Sequence, residues 1–285
     1  MTRHVTLVAC LAAATALPAL AQDDGQSTDL PLAVQMFTLR DYGDFDRQLQ
    51  AVADAGVTRI ETFGMDERDA EDVRQMLDAH GIEVISDHVS IDRLRDDLDA
   101  VVAFNRTVGN DTIVMPYLAE EIRPTDADGW RALGTELAGI AAALSDQEMR
   151  LGYHNHDFEM AEFDGRTALE LIFEAAGPDL LAEVDLAWVA RGGHDPATYL
   201  ETIGDRVFAV HAKDNKPDFE TADERGFETV GSGTLDWDAI LPAAQAVGVE
   251  YYIIEHDAAA APAENIAASA DFLREALPRA MPAAN

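Results

Sequence analysis

Cysteine is almost absent from this sequence, and basic residues are scarce. The one cysteine, Cys10, lies in "MTRHVTLVACLAAATALPALAQDDGQ". That segment has an arginine near its start, an alanine-rich apolar run, and Ala19-Leu20-Ala21 before Gln22, the form of a secretory signal peptide. Residues 1–21 are therefore read as a cleaved leader and 22–285 as one mature domain, expected in the periplasm or secreted. Such a domain has no disulfide, thiolate ligand or cysteine nucleophile, so its core alone must hold it. A lipoprotein is the rival reading, because Leu7-Val8-Ala9-Cys10 matches a lipobox, but a cysteine so early leaves no apolar stretch ahead of it. The run is also short for a bilayer and is followed by acidic residues, so no membrane span is expected.

Positive charge is the second scarcity. The chain has 20 Lys+Arg against 54 Asp+Glu, a formal net charge of -34. Nucleic acid and anionic membranes are poor partners for it, and most of the charge is read as solvated acidic surface. No strand pattern runs into a G-x-G-x-x-G turn, so a dinucleotide site has no support. No Arg/Lys cluster or Gly-rich helix start marks a phosphate site apart from a weak "GSG", which points to unphosphorylated ligands.

What is present is alternation. Eight short β-branched or apolar runs are predicted as strands: 32–37, 59–64, 83–89, 112–117, 150–156, 181–186, 207–213 and 251–256. Between them lie amphipathic stretches such as "FDRQLQAVADAG", "RDAEDVRQMLDAHG" and "TALELIFEAAG", several stopped by glycine. With no linker dividing them, these units predict a single (β/α)8 TIM barrel, with a doubly wound open sheet as competitor. In a barrel, chemistry belongs at the C-terminal ends of the strands.

Histidines and acids gather at those ends. Residues i and i+2 of a strand share a face, so His154 and His156 point together, as do Glu183 and Asp185, and His211 and Lys213. Strands five to eight thus each offer one ligand: His154, Asp185, His211 and Glu255. Two imidazoles and two carboxylates suit a divalent ion such as Mn, Zn, Co or Fe. Each residue alone is more often a hydrogen-bonded structural group, but four successive strands supplying one each is a stronger signal.

The stretches "LGYHNHDFEM", "EVDLAWVARGGHDP", "VFAVHAKD", "ETVGSGTLDWDAIL" and "YYIIEHD" resemble the sugar phosphate isomerase/epimerase group of xylose isomerase-like barrels, relatives of inosose dehydratases, tagatose-type epimerases and keto-glycoside lyases. The resemblance spans about residues 31 to 277. It implies that Asp185, His211 and Glu255 are metal ligands, while His154 stands where the group usually has Glu. The group's epimerases use two metal-bound glutamates on opposite sides of a sugar carbon. With one replaced, the resemblance implies one-sided proton abstraction beside a carbonyl followed by loss of a leaving group, ahead of isomerisation or epimerisation.

His156 and Glu255 are the candidate bases. Lys213 is read as a substrate or enolate contact, or else as an ion pair with Asp214 or Glu183. Trp188 is a sugar-stacking wall or a core residue. His88 and Glu61 face the mouth or are satisfied structural groups, and Glu159 is a loop carboxylate or an extra ligand. The long connection 214–237, with Gly231 and Gly233, is read as a lid. The expected partner is a small unphosphorylated keto-sugar, keto-glycoside or inosose, with a homo-oligomer left open. The competing readings are a non-catalytic sugar-binding protein and, fitting poorly, a DNA-repair endonuclease.

Overall fold

A computed structural model describes residues 30–65 and 68–280, so the expected leader lies outside the described residues. Eight parallel strands close into a barrel. They are β1 (Leu32–Gln35), β2 (Arg59–Phe63), β3 (Glu83–His88), β4 (Thr112–Met115), β5 (Arg150–His154), β6 (Leu180–Asp185), β7 (Val207–Ala212) and β8 (Tyr251–Ile254). Strand β8 returns to β1 through Leu32↔Tyr252 and Val34↔Ile254, which leaves no open edge and excludes the doubly wound sheet. All eight runs read from the sequence are these strands. Among the described residues no helix is long and apolar enough to cross a membrane.

Helices α1 (Phe45–Asp54), α2 (Ala70–His80), α3 (Ala127–Ser145), α4 (Ala168–Ala176) and α5 (Pro262–Ala280) lie on amphipathic stretches of the sequence. Part of the acidic surplus has a local purpose. Asp44, Asp69 and Asp126 each accept a backbone N–H at a helix start, where a carboxylate also complements the helix dipole. Gly81 closes α2 in the left-handed conformation, φ 63°.

The barrel interior changes character along its axis. Ala33, Ile85, Val114, Phe208, Ala209 and Ile253 form a buried apolar cluster. Two residues further toward the C-terminal ends, on the same inward face as Ala33, Ala209 and Ile253, stand Gln35, His211 and Glu255. A polar layer buried above an apolar floor is tolerable only if its groups satisfy one another, and that requirement organises the site.

Strand β5 ends at His154, two residues before the predicted end. The Asn155 side chain explains this: its Oδ1 accepts the Asp185 N–H at 3.0 Å, in place of a backbone carbonyl.

Candidate functional site

Three imidazoles meet at one carboxylate oxygen. Glu183 Oε1 is 2.8 Å from His88 Nε2, 2.9 Å from His211 Nε2 and 3.0 Å from His154 Nδ1. Glu61 Oε1 adds contacts of 2.8 Å to His211 Nε2 and 3.0 Å to His88 Nε2. Glu61 is braced from behind by Gln35 Nε2 and Ser86 Oγ, each donating at 2.6 Å. Strands β2, β3, β5, β6 and β7 thus deliver five titratable groups to one point.

The charges of this layer are strongly interdependent. Burial pushes His88 down, but the Glu61 and Glu183 charges outweigh it and hold the imidazole up at about 10. His211 is likewise raised well above its ordinary value against burial, by Glu183, Glu255 and Glu61. Burial would raise Glu61, yet the His88 and His211 charges hold it well below the usual carboxylate range. His154 is pushed well down by burial and then by the His211 charge, so it is neutral. Two buried carboxylates demand compensating positive charge. Protons on two imidazoles supply it, or a divalent ion does and leaves the imidazoles free as lone-pair donors.

His88, His154, Glu183 and His211 suit such an ion. Their ligand atoms all lie within 4.8 Å of one another, close enough to gather around one ion. Glu183 Oε2 is also buried without a hydrogen-bond partner, which is costly unless something else engages it. The sequence places Glu183 as an inward-facing neighbour of Asp185 and as an ion-pair partner for Lys213, not as a ligand. The period-2 alternation of "EVD" was the signal that could have found it.

The four residues expected to share one ion fall into two adjoining groups, with His154 Nε2 3.9 Å from Asp185 Oδ2 between them. His154 joins His88, Glu183 and His211, whereas Asp185 and Glu255 form a second group with the other nitrogen of His211. His211 Nδ1 is 2.8 Å from Glu255 Oε2 and 3.9 Å from Asp185 Oδ2. Lys213 fills that second group. Its Nζ lies 2.6 Å from Glu255 Oε2, 2.6 Å from Asp257 Oδ1 and 2.9 Å from Asp185 Oδ2. The last contact is an ion pair out of line for a hydrogen bond, and Asp185 Oδ2 keeps no hydrogen-bond partner. Burial opposes the ammonium, but Asp185, Asp257 and Glu255 prevail and hold it charged. Neither ion-pair partner expected for Lys213, Asp214 or Glu183, is the one it has.

Above these groups opens a cleft of about 630 Å3. His88, His154, His156, Trp188, Lys213 and Glu255 line it, while Glu61, Glu159, Asp185 and His211 lie behind its wall. Burial, then the Lys213 charge, pushes His156 down to about 3, so its imidazole is neutral. Its Nδ1 and the Trp188 Nε1 are both buried without a hydrogen-bond partner, and the two rings stand 5.3 Å apart. Glu159, expected as a substrate contact or ligand, is instead a fully buried support. It accepts the Tyr153 hydroxyl at 2.7 Å and the His156 backbone N–H at 2.8 Å.

Sequence reasoning missed most of the cleft's aromatic and cationic lining. Phe37 and Phe63 pack edge to face at 5.2 Å on one side, and Tyr117 and Phe158 flank His156 on the other. Arg93, Arg123 and Arg225 also line the mouth. They come from three separate connections, so no cluster is visible in the linear order.

The 214–237 connection is pinned rather than loose. Asp214 accepts five N–H donors: Asn215 N and Leu235 N on Oδ1, and Gly231 N, Gly233 N and Trp237 Nε1 on Oδ2. A Cβ at Gly233 would fall 2.2 Å from Asp214 Oδ1, so that glycine permits close approach to the carboxylate. A short hairpin, Asp214–Asn215 with Phe227–Glu228, replaces the irregular loop read from the sequence. A hinged lid over the whole segment is at odds with this bonding.

Residues 49–276 match the xylose isomerase-like TIM barrel family, and the chain belongs to that family. It is similar to the inosose dehydratase of Geobacillus kaustophilus (strain HTA426), 28% identical over 236 residues, which cover 70% of this chain and 75% of that protein. Among solved structures, a sugar phosphate isomerase/epimerase from Parabacteroides distasonis has a TM-score of 0.77 at 20% identity, covering 93% of this chain and 100% of that one. The IOLI protein, solved with a bound zinc atom, has a TM-score of 0.71 at 13% identity, covering 88% and 99%. These two structural likenesses speak for the fold.

Proposed function

We propose that this chain is a divalent-metal-dependent enzyme of the lyase or dehydratase type, acting on an unphosphorylated keto-sugar, keto-glycoside or inosose. The observation that carries the reading is the convergence of His88, His154 and His211 on Glu183 beneath a cleft lined by a neutral His156. The kinship with an inosose dehydratase supports it. An ion held by His88, His154, Glu183 and His211, of the Mn, Zn, Co or Fe type, would polarise a substrate carbonyl and so acidify the adjacent C–H.

This chain's residues account for the proton. His156 lines the cleft, and as a neutral imidazole it takes the proton from the carbon beside the carbonyl. The Glu159 carboxylate fixes the His156 backbone, and the nearby Glu255 charge favours the imidazolium that forms. The electron pair left on carbon becomes the new C=C bond as the β-substituent leaves. That group departs as water or an alcohol with the proton that His156 had taken up, which returns the imidazole to its neutral form. Glu255 is the poorer candidate, because its carboxylate is already engaged by Lys213 Nζ at 2.6 Å and His211 Nδ1 at 2.8 Å. Trp188 lines the cleft beside His156, where its ring suits contact with a sugar ring, while its Nε1 is buried.

Export through the N-terminal leader belongs to the same proposal and suits an unphosphorylated substrate. The test is metal analysis of the purified protein, followed by incubation of 3-keto-glycosides and inososes with each divalent ion in deuterated water. An eliminating enzyme yields an unsaturated ketone and exchanges the substrate C–H. An isomerase or epimerase carries deuterium into a product that has lost nothing. A metal-loaded protein that binds sugar without exchange is a binding protein, and the enzyme reading falls.

A further inference from the structure

Arg93, Arg123, Lys213 and Arg225 all line the cleft of a chain that has 54 Asp+Glu and 20 Lys+Arg. Three of these cations have acidic partners. Lys213 is enclosed by Asp185, Glu255 and Asp257, Arg225 Nη1 lies 3.3 Å from Asp257 Oδ2, and Arg93 Nη1 lies 3.4 Å from Asp97 Oδ2. Arg123 differs. Among the described residues no carboxylate, the exposed Asp157 included, lies within ion-pair distance of it, and the one acid that feels its charge, Glu159, is buried behind the wall and bonded to Tyr153 and the His156 N–H.

Arg123 is nevertheless held in place. Its guanidinium stacks 3.6 Å from the centroid of the Phe158 ring. Nε donates to the Leu118 carbonyl at 3.0 Å and Nη2 to the Tyr117 hydroxyl at 2.7 Å. Both rings of this platform pack against His156, Tyr117 at 5.1 Å and Phe158 at 5.8 Å. A pre-positioned guanidinium on an aromatic platform loses little freedom on binding, and its fork matches a carboxylate.

Arg225 carries a second sign of selection for position. Glu224 and Arg225 have φ of 53° and 55°, two successive non-glycine residues in the left-handed region. Such backbone is unfavourable for L-residues and persists where its surroundings require it. Here it sets the half-exposed Arg225 guanidinium at the mouth, beside Asp257.

We propose that the substrate carries a carboxylate, as a uronic acid unit does, and that Arg123 binds it with Arg225 assisting. This rests on the sugar-directed reading of the cleft and narrows its substrate class. A phosphate would call for more unpaired donors than one guanidinium on an apolar platform. With the carboxylate on Arg123, the sugar ring lies along Tyr117 and Phe158 beside His156, the group assigned to the proton.

The test is equilibrium binding to the manganese-loaded protein by calorimetry, with D-glucuronate, its neutral methyl ester and inorganic phosphate as probes. Glucuronate is expected to bind about ten-fold more tightly than the ester. Arg123→Gln should bring that ratio close to one with metal content unchanged, and Arg225→Gln should lower it less. Arg123→Lys, which keeps the charge but not the fork, should give an intermediate ratio and serves if Arg123→Gln does not fold. Equal binding of acid and ester, no measurable binding of either, or a preference that survives Arg123→Gln would overturn the proposal. The last outcome would mean that the carboxylate is held elsewhere, including at the metal. Phosphate displacing glucuronate with equal affinity would overturn it in favour of a phosphorylated ligand. Turnover is not read, so failure of the lyase assignment in the deuterium experiment is a separate result.

Discussion

Glu255 Oε2 lies 2.8 Å from His211 Nδ1, on the opposite side of the imidazole from Glu183. A carboxylate on the second nitrogen fixes ring orientation and tautomer, so that the first nitrogen is aimed at its target. Glu255→Gln is therefore expected to weaken metal binding about 10–100-fold without abolishing it. Competition with a fluorescent chelator measures this, and complete loss of metal would return Glu255 to the ligand set.

Three variants distinguish the two groups of ligands. Glu183→Gln and His154→Ala are each expected to remove most bound metal, measured by elemental analysis after gel filtration. Asp185→Asn should retain metal while disturbing Lys213, whose ammonium it faces at 2.9 Å. The reverse order, with metal lost in Asp185→Asn and kept in Glu183→Gln, would restore the set read from the sequence.

Metal uptake should release protons. His88 is held up at about 10 and His211 well above its ordinary value, so both carry protons at pH 7 until a cation replaces them. Binding of a divalent ion at pH 7 should release about two protons. Titration calorimetry in buffers of different ionisation enthalpy reads the number. Zero release would mean that these imidazoles are neutral beforehand.

Asp214 should matter for stability more than any surface acid. Asp214→Ala strands buried donors, including Trp237 Nε1 at 2.9 Å, and is expected to cost about 3 kcal/mol or more. Urea denaturation measures it. The wild-type 214–237 segment should also resist limited proteolysis with and without metal. Rapid cleavage that metal suppresses would revive the lid.

Glu159 gives a pH dependence with a definite sign. Burial raises its carboxyl to about 8 from an ordinary 4.5, against the donors Tyr153 and His156. A carboxyl raised in the folded state contributes stability that is fully present below its unfolded value and is lost as pH rises through the folded one. Wild type should therefore lose stability relative to Glu159→Gln between about pH 4.5 and 8. Denaturation midpoints at pH 5, 6.5 and 8 check this, and parallel profiles would refute it.

Much of the fold was legible because a barrel repeats one local pattern. Each strand is a short apolar run, each helix an amphipathic stretch, and closure needs no information beyond eight of them in order. The strand-end rule also brought His88, His154, His156, Lys213 and Glu255 to one mouth, because period-2 alternation is a property of the backbone itself.

Contacts between strands were another matter. Alternation shows that Glu183 and Asp185 both face inward, but which of them meets the imidazoles depends on register between strands, and linear order does not contain register. Lys213 shows the same limit: its partners are Asp185, Glu255 and Asp257, the last 44 residues away, rather than the adjacent Asp214. Arg225 sits in the 214–237 connection that the sequence marks as a lid, and Arg123 in the connection after β4, to which the sequence assigns no role. The sequence alone determined the barrel, its acidic character and the strands that hold the chemistry. Tertiary structure decided which charges touch, because the Coulomb energy of a buried pair depends on the few ångströms that packing sets.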